Sequence, residues 1–266
     1  MDSNTRYLIE QNESEFSALW AQRLRPYKCA ELFINKDFPG DYFFNKTKIL
    51  SPCSNAPLVI AETKRLYFAN KLDCFVHCDD SHPYQGTNTA LEEANFSFID
   101  YMLIFSSSHI KQEVTESEPK YDTDPMQIVA VDQALLPVWV DVFCKAFDAE
   151  NWKQRINTIT RTSYRHFDLF LLLIRSDSAF IPAACALLFS NNNVTGLYCL
   201  GTLPEFRRNG LASTFLKFSI LMARDKRMKF FFVQTFASGG FSKIYHNAGL
   251  NLIYKKRVYA FYRDKN

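Results

Sequence analysis

Tyr198-Cys-Leu-Gly-Thr-Leu-Pro-Glu-Phe-Arg-Arg-Asn-Gly-Leu-Ala212 is the stretch on which the reading of this chain turns. The apolar run Val194–Thr202 predicts a strand, and Pro204 ends it. Gly210–Lys226 predicts a helix, because Leu211, Phe215, Phe218 and Met222 fall on one stripe. A strand that runs through a small-residue loop into a helix leaves several backbone N–H groups aimed one way. With the helix dipole behind them, those groups form a cradle for a pyrophosphate. Gly210 allows close backbone approach and Ala212 keeps the helix start narrow. Arg207 and Arg208 add positive charge, each contributing about 1–3 kcal/mol beside a phosphate.

Working outward, the downstream segments alternate in type. Met126–Val131 reads as a strand and Asp132 as the cap of a helix running to Asp148. Glu150–Arg161 is a second short helix, followed by strands at Asp168–Arg175 and Ile181–Ser190. Beyond the central helix come a strand at Met228–Phe236 and a glycine-opened helix at Ser238–Asn247. Two strands, Leu250–Lys255 and Val258–Arg263, close the chain. The order is β-α-α-β-β-β-α-β-α-β-β.

Upstream, Glu13–Leu24 and Ala56–Asn70 have helical spacing, and Thr87–Glu93 is a third helix. Tyr42–Phe44, Lys48–Ser51, Leu72–Cys78 and Phe96–Phe105 read as strands. The pattern over residues 56–105 echoes the closing half of the downstream region. Between the halves lies Gln112–Pro125, QEVTESEPKYDTDP, with five acids and two prolines, which reads as an exposed linker. The expected organisation is an N-terminal α/β domain over 1–111, a linker over 112–125 and a second domain over 126–266.

Composition narrows the function classes. The chain has 266 residues, 47% of them apolar, with 25 Phe, so it can bury substantial cores. A net charge of +3 argues against a dedicated nucleic-acid binder. The most apolar stretches, Phe167–Ile174 and Phe180–Phe189, fall short of the roughly 20 residues that span a bilayer, so no membrane partner is expected. Cys74 and Cys78 with His77 and His82 invite a metal reading. No second ligand pair follows at finger-like spacing, so a strand carrying reduced thiols is preferred and no metal is expected. Seven cysteines without a CxxC, and no apolar core at the N-terminus, point to a cytoplasmic protein.

The run Arg207-Arg-Asn-Gly210-Leu-Ala212 resembles the coenzyme A signature [Q/R]-x-x-G-x-[G/A] of the GCN5-related N-acetyltransferase (GNAT) family. Ser238-Gly-Gly-Phe-Ser-Lys-Ile-Tyr245-His-Asn-Ala-Gly249-Leu250 resembles a second segment of that family, with Leu250 in place of the usual Phe. The resemblance covers about residues 126–263. It implies a mixed α/β sheet, the GNAT acyl-CoA N-acyltransferase fold, preceded by a smaller degenerate GNAT-like domain that lacks the phosphate loop. It further implies acetyl-CoA as co-substrate, held by Leu200, Gly201, Thr202, Arg207, Arg208, Asn209, Gly210, Leu211, Ala212 and Ser238. In that family pantetheine pairs with the fourth strand, here Leu200–Thr202, and a backbone N–H near Leu200 would face the oxyanion.

By the same resemblance Tyr245 is the acid that protonates the departing thiolate. The base is a gap. An acceptor amine with a pKa near about 10.4 must lose a proton before it attacks, yet Asn193–Thr202 carries no carboxylate. Tyr198, His166, His246 and a water relay are the options. Cys199 has no paired His and is set aside as a nucleophile. Gly40, Asp41, Asn45 and Lys46 are candidate cleft residues of the N-terminal half.

The expected activity is transfer of an acetyl group from acetyl-CoA to an amine-bearing small molecule, peptide or protein by direct attack in a ternary complex. The alternative is a non-catalytic acyl-CoA-binding or regulatory module, motivated by the missing carboxylate.

Overall fold

A computed structural model describes residues 3–108, 122–123, 126–177 and 179–263. In chain order the elements are α1 (Ser3–Trp20), β1 (Gln22–Tyr27), β2 (Ala30–Ile34), β3 (Lys46–Ile49), α2 (Ala56–Ala69), β4 (Cys74–Asp79), α3 (Gln85–Glu93) and β5 (Ser97–Ser108). There follow β6 (Asp122–Thr123), β7 (Met126–Ala130), α4 (Leu136–Ala146), α5 (Lys153–Ser163), β8 (Asp168–Ser176), β9 (Ala179–Asn191) and β10 (Val194–Thr202). The chain then forms α6 (Leu211–Asp225), β11 (Phe230–Phe236), α7 (Ser242–Asn247) and β12 (Asn251–Phe261).

The fold is mixed α/β and divides into two compact units that are not contiguous in sequence. The first comprises residues 1–12, 106–233 and 243–251; the second comprises 13–105, 234–242 and 252–266. The closing strand β12 pairs antiparallel with β4 over Lys256–Phe261 and Cys74–Asp79, so it completes the second unit. Of the expected linker 112–125, only Asp122 and Thr123 are among the described residues; as β6 they pair with Gln127 and Met126.

In the first unit the strands run in the order β11-β10-β9-β8-β7-β6. Neighbours from β6 to β10 are antiparallel, while β10 and β11 are parallel and joined through α6. Asp132 Oδ1 accepts from Ala134 N and Leu135 N at 2.9 Å, so it caps the turn that leads into α4. The helix itself opens at Leu136 with Pro137 behind it, a position where proline loses no helical bond. Trp139 Nε1 donates to the Ala186 carbonyl at 3.1 Å, pinning α4 to β9.

In the second unit the order is β1-β2-β3-β4-β12-β5. One face of this sheet is apolar: Ala30, Leu32 and Ile34 of β2 and Cys74, Val76 and Cys78 of β4 pack with Val59, Ile60 and Tyr67 of α2. Cys74 and Cys78 are therefore reduced core thiols. Strand alternation sends the intervening residues to the other face, where the polar and ionisable groups of Lys46, Lys48, His77, Asp79 and Lys256 are buried alongside Phe33 and Phe75. Glu13 of α1 lies among them. Its Oε1 is 3.0 Å from Lys46 Nζ, and its Oε2 is 3.0 Å from Lys48 Nζ and 2.7 Å from Lys256 Nζ.

Several elements depart from expectation. Tyr42–Phe44 forms a turn rather than a strand, because Asp41 Oδ1 accepts from Phe43 N at 2.7 Å and Phe44 N at 3.2 Å. The two closing strands are one continuous strand. The helix expected from Ser238 begins at Ser242, since Gly240 at φ +70° breaks the chain direction first. Among the described residues no helix is long and apolar enough to cross a membrane.

Candidate active site

The site is built on the end of β10. Val194–Leu197 pair with Phe230–Val233 of β11, and the described register stops there. On the opposite edge β10 stays paired with β9 as far as Thr202, with a bulge between Tyr198 and Gly201. Cys199 sits in the bulge at φ +53°, a setting that costs a non-glycine residue energy and that neighbours must hold. One such neighbour is Cys185, whose Sγ donates to the Cys199 carbonyl at 3.5 Å. Burial pushes both thiols above their ordinary range, which disfavours the thiolate form that a nucleophile would need. Leu200 and Thr202 are half-buried, and Gly201 is buried. A Cβ on Gly201 would stand 2.7 Å from the Phe147 ring and 2.8 Å from Ala146 Cβ, so only glycine lets the end of α4 lie against the strand.

Beyond Thr202 a short helical turn, Pro204–Phe206, carries Glu205 exposed on the surface. Arg207 then turns back on the fold. Its Nε donates to the Thr202 carbonyl at 3.2 Å and its Nη2 to the Ala146 carbonyl at 3.0 Å. These donors brace the loop between the end of β10 and the last turn of α4. Arg208 is exposed at φ +67°. Asn209 Nδ2 donates to the Phe206 carbonyl at 3.4 Å.

Gly210 stands at the N-cap of α6 with φ +77° and no capping side chain. The first intrahelical bond runs from Thr214 N to the Gly210 carbonyl at 3.0 Å. The amides of Leu211, Ala212 and Ser213 thus open the helix without a side-chain cap, and a Cβ built on Gly210 meets nothing within 4 Å. Buried Leu211 anchors the helix start, and half-buried Ala212 follows it. This is an N-terminus shaped to accept an anion.

Tyr245 belongs to the same unit, on α7, and is buried. Its carbonyl accepts from Leu250 N at 3.0 Å, while Gly249 at φ +81° makes the reversal between them. Buried Leu250 fills the position expected of an apolar residue. Of the three side chains considered as bases, His166 and His246 are exposed. The Tyr198 hydroxyl donates to Asn12 Oδ1 at 2.9 Å. Asn12 was invisible to sequence reasoning, because a polar residue on a helix face gives no periodic signal.

Ser238 lies in the second unit, where its Oγ and N meet Asp100 Oδ2 at 2.5 and 3.2 Å. In that unit the Tyr42 ring packs edge-on against Phe236 at 4.8 Å. Burial, with Asp41 and Asp100 nearby, raises the Tyr42 phenol above its ordinary value, and burial likewise raises the Asp41 carboxyl.

Solved structures share this architecture. A GCN5-related N-acetyltransferase from Kribbella flavida superposes with a TM-score of 0.68 over 96% of this chain and 94% of its own, at 12% identity. The chain has the GCN5-related N-acetyltransferase fold. A second protein so described, from Sphaerobacter thermophilus, gives a TM-score of 0.61 over 88% of this chain and 76% of its own, at 10% identity. A tandem GNAT protein from the clavulanic acid biosynthesis pathway gives 0.55 over 95% of each chain, at 8% identity. The likeness to the tandem protein takes in residues of both units, in keeping with a GNAT-like N-terminal region. No protein-family model and no curated protein matches the sequence. The likeness is one of fold, and the GNAT chemistry has to be argued from the residues.

Proposed function

We propose that the chain is an N-acetyltransferase that moves an acetyl group from acetyl-CoA to an amine acceptor by direct attack in a ternary complex. The observation that carries this reading is the junction of β10 and α6. A bulged strand end, paired on one side, leads into a braced loop and an uncapped helix N-terminus with Gly210 at φ +77°. The residues fit the co-substrate. The open amides and helix dipole at Leu211–Ser213 suit a pyrophosphate, with Arg208 exposed beside them. The edge Leu200–Thr202 suits an amide-bearing pantetheine arm. Acetyl-CoA supplies an activated thioester, so the protein's task is to orient it, exclude water and move protons.

In this scheme buried Tyr245 gives its proton to the departing thiolate, and a backbone N–H near Leu200 meets the developing oxyanion. The strand holds no carboxylate and the Tyr198 proton is committed to Asn12, so a water relay is the base this reading adopts. The acceptor is an amine on a small molecule, peptide or protein. Calorimetry with acetyl-CoA, followed by thiol release across an amine and peptide panel, tests the proposal. Binding with acceptor-dependent release of CoA is expected. Tight binding without release from any acceptor would select the non-catalytic module instead, and absence of binding would exclude both.

A further inference from the structure

Asn12 is fully buried, and its carboxamide makes contacts whose direction the chemistry fixes. Its Nδ2 lies 3.3 Å from the Phe189 carbonyl, 3.1 Å from the Val194 carbonyl and 3.1 Å from Asn191 Oδ1. Three oxygens around one nitrogen require a donor there, so its two hydrogens are shared among three acceptors. The remaining atom, Oδ1, accepts the Tyr198 hydroxyl.

These partners occupy the two ends of a short stretch of backbone. Phe189 and Val194 flank the turn between β9 and β10. Tyr198 lies just past Leu197, the last residue with a register partner on β11, and just before Cys199 at φ +53°. The Tyr198 ring lies across Gly196, where an added Cβ would meet its Cε2 at 2.5 Å, and packs edge-on to Phe232 at 6.0 Å. Ring and hydroxyl are thus both fixed, and the hydroxyl is fixed by Asn12.

We infer that Asn12 is a positioning residue for the Leu200–Thr202 edge, acting through Tyr198 to hold β10 in its bulged setting as it leaves β11. The inference rests on the acetyl-CoA reading given above. A strand paired on one side and carrying a left-handed residue has a ready alternative, which is to straighten and shift the register of everything beyond the bulge. A side chain tied at both the turn and the bulge opposes that shift. Asn12 touches no ligand in this scheme; it sets where the strand presents its amides.

The test separates the two ends of the co-substrate. Acetyl-CoA engages both the loop and the strand edge, whereas 3′-phospho-ADP carries the pyrophosphate and no pantetheine. In Tyr198→Phe, affinity for acetyl-CoA should fall roughly tenfold, while affinity for 3′-phospho-ADP stays within about twofold of wild type. Amide hydrogen exchange at Leu200–Thr202 should rise in the free variant. Equal losses for both ligands would mean general disruption and overturn the inference, as would unchanged affinity for acetyl-CoA. Asn12→Asp, which sets a carboxylate against three oxygens, should repeat the split more strongly. If it fails to fold, Tyr198→Phe alone decides. Wild-type protein that binds neither ligand would overturn the acetyl-CoA reading itself, and the inference with it.

Discussion

Arg207 Nη2 donates to the Ala146 carbonyl at 3.0 Å, tying the loop before α6 to the C-terminal end of α4. A cation at that end also meets the negative pole of the helix. With Nε on the Thr202 carbonyl, the guanidinium uses its fork on two protein oxygens at once, a geometry that lysine cannot copy. Arg207→Lys should therefore weaken acetyl-CoA binding nearly as much as Arg207→Ala, by roughly tenfold. Calorimetry on the two variants checks this. A lysine variant with wild-type affinity would mean that charge alone matters there.

Gly210 makes a different demand. Its φ of +77° is costly for any residue with a Cβ, although the space around it is open. Gly210→Ala should cost about 1 kcal/mol in unfolding free energy, and a β-branched residue more. The loss in acetyl-CoA affinity should exceed what that instability explains, because the new side chain projects beside the free amides. Denaturant melts and binding isotherms on Gly210→Ala and Gly210→Val read the two effects separately.

The first unit was more legible in the sequence than the second, for a physical reason. From Met126 to Phe236 the chain alternates in ways that period and turn chemistry reveal, and Arg207-x-x-Gly210-x-Ala212 marks the helix start directly. The helical spacing shows only from Glu13, although α1 begins at Ser3, because its buried positions include Asn12, Glu13, Ser14 and Ser17. Ile9, Phe16 and Trp20 are buried on the same helix, but the polar groups between them break up the hydrophobic stripe. Strands β1 and β2 do not show in the sequence, because the helical spacing over Glu13–Leu24 runs into β1, which carries Pro26, and β2 is only five residues long; Arg23 pairs with Glu15 and Arg25 with Glu31. Nothing in the local sequence forecast that β12 would pair with β4. The loop residues of the site could be read, whereas Arg207's brace and Asn12's tether depend on partners far along the chain.

The buried charges of the second unit predict a pH dependence. Burial pushes the Glu13 carboxyl up, but the ammonium groups of Lys256, Lys46 and Lys48 outweigh it and hold the carboxyl well below the ordinary range. Its stabilising contribution is complete above the unfolded pKa of about 4.3 and is lost as pH falls through the lower folded value. His77 is lowered chiefly by burial and then by the same lysines. Below about pH 6.5 the unfolded chain takes a proton that the folded imidazole refuses, so stability also falls there. Unfolding free energy should thus decline in acid from about pH 6.5 and more steeply below about 4.3. Glu13→Gln leaves the ammonium groups short of a counter-charge and should cost roughly 3–5 kcal/mol. In His77→Leu the upper part of the decline should disappear, and persistence of that part in chemical melts would exclude His77 as its source.

Tyr245 provides the test of chemistry as distinct from binding. The residue is buried on α7, in the same unit as the strand edge and the loop. Tyr245→Phe removes one oxygen and keeps the ring, so the packing around Leu250 and the reversal at Gly249 should survive. If the phenol protonates the departing thiolate, its loss slows a step that occurs only after binding. The turnover number should then fall roughly a hundredfold while the acetyl-CoA dissociation constant stays within about twofold of wild type. A parallel loss of affinity and rate would instead identify Tyr245 as a packing residue. An unchanged rate would leave the thiolate to take its proton from water.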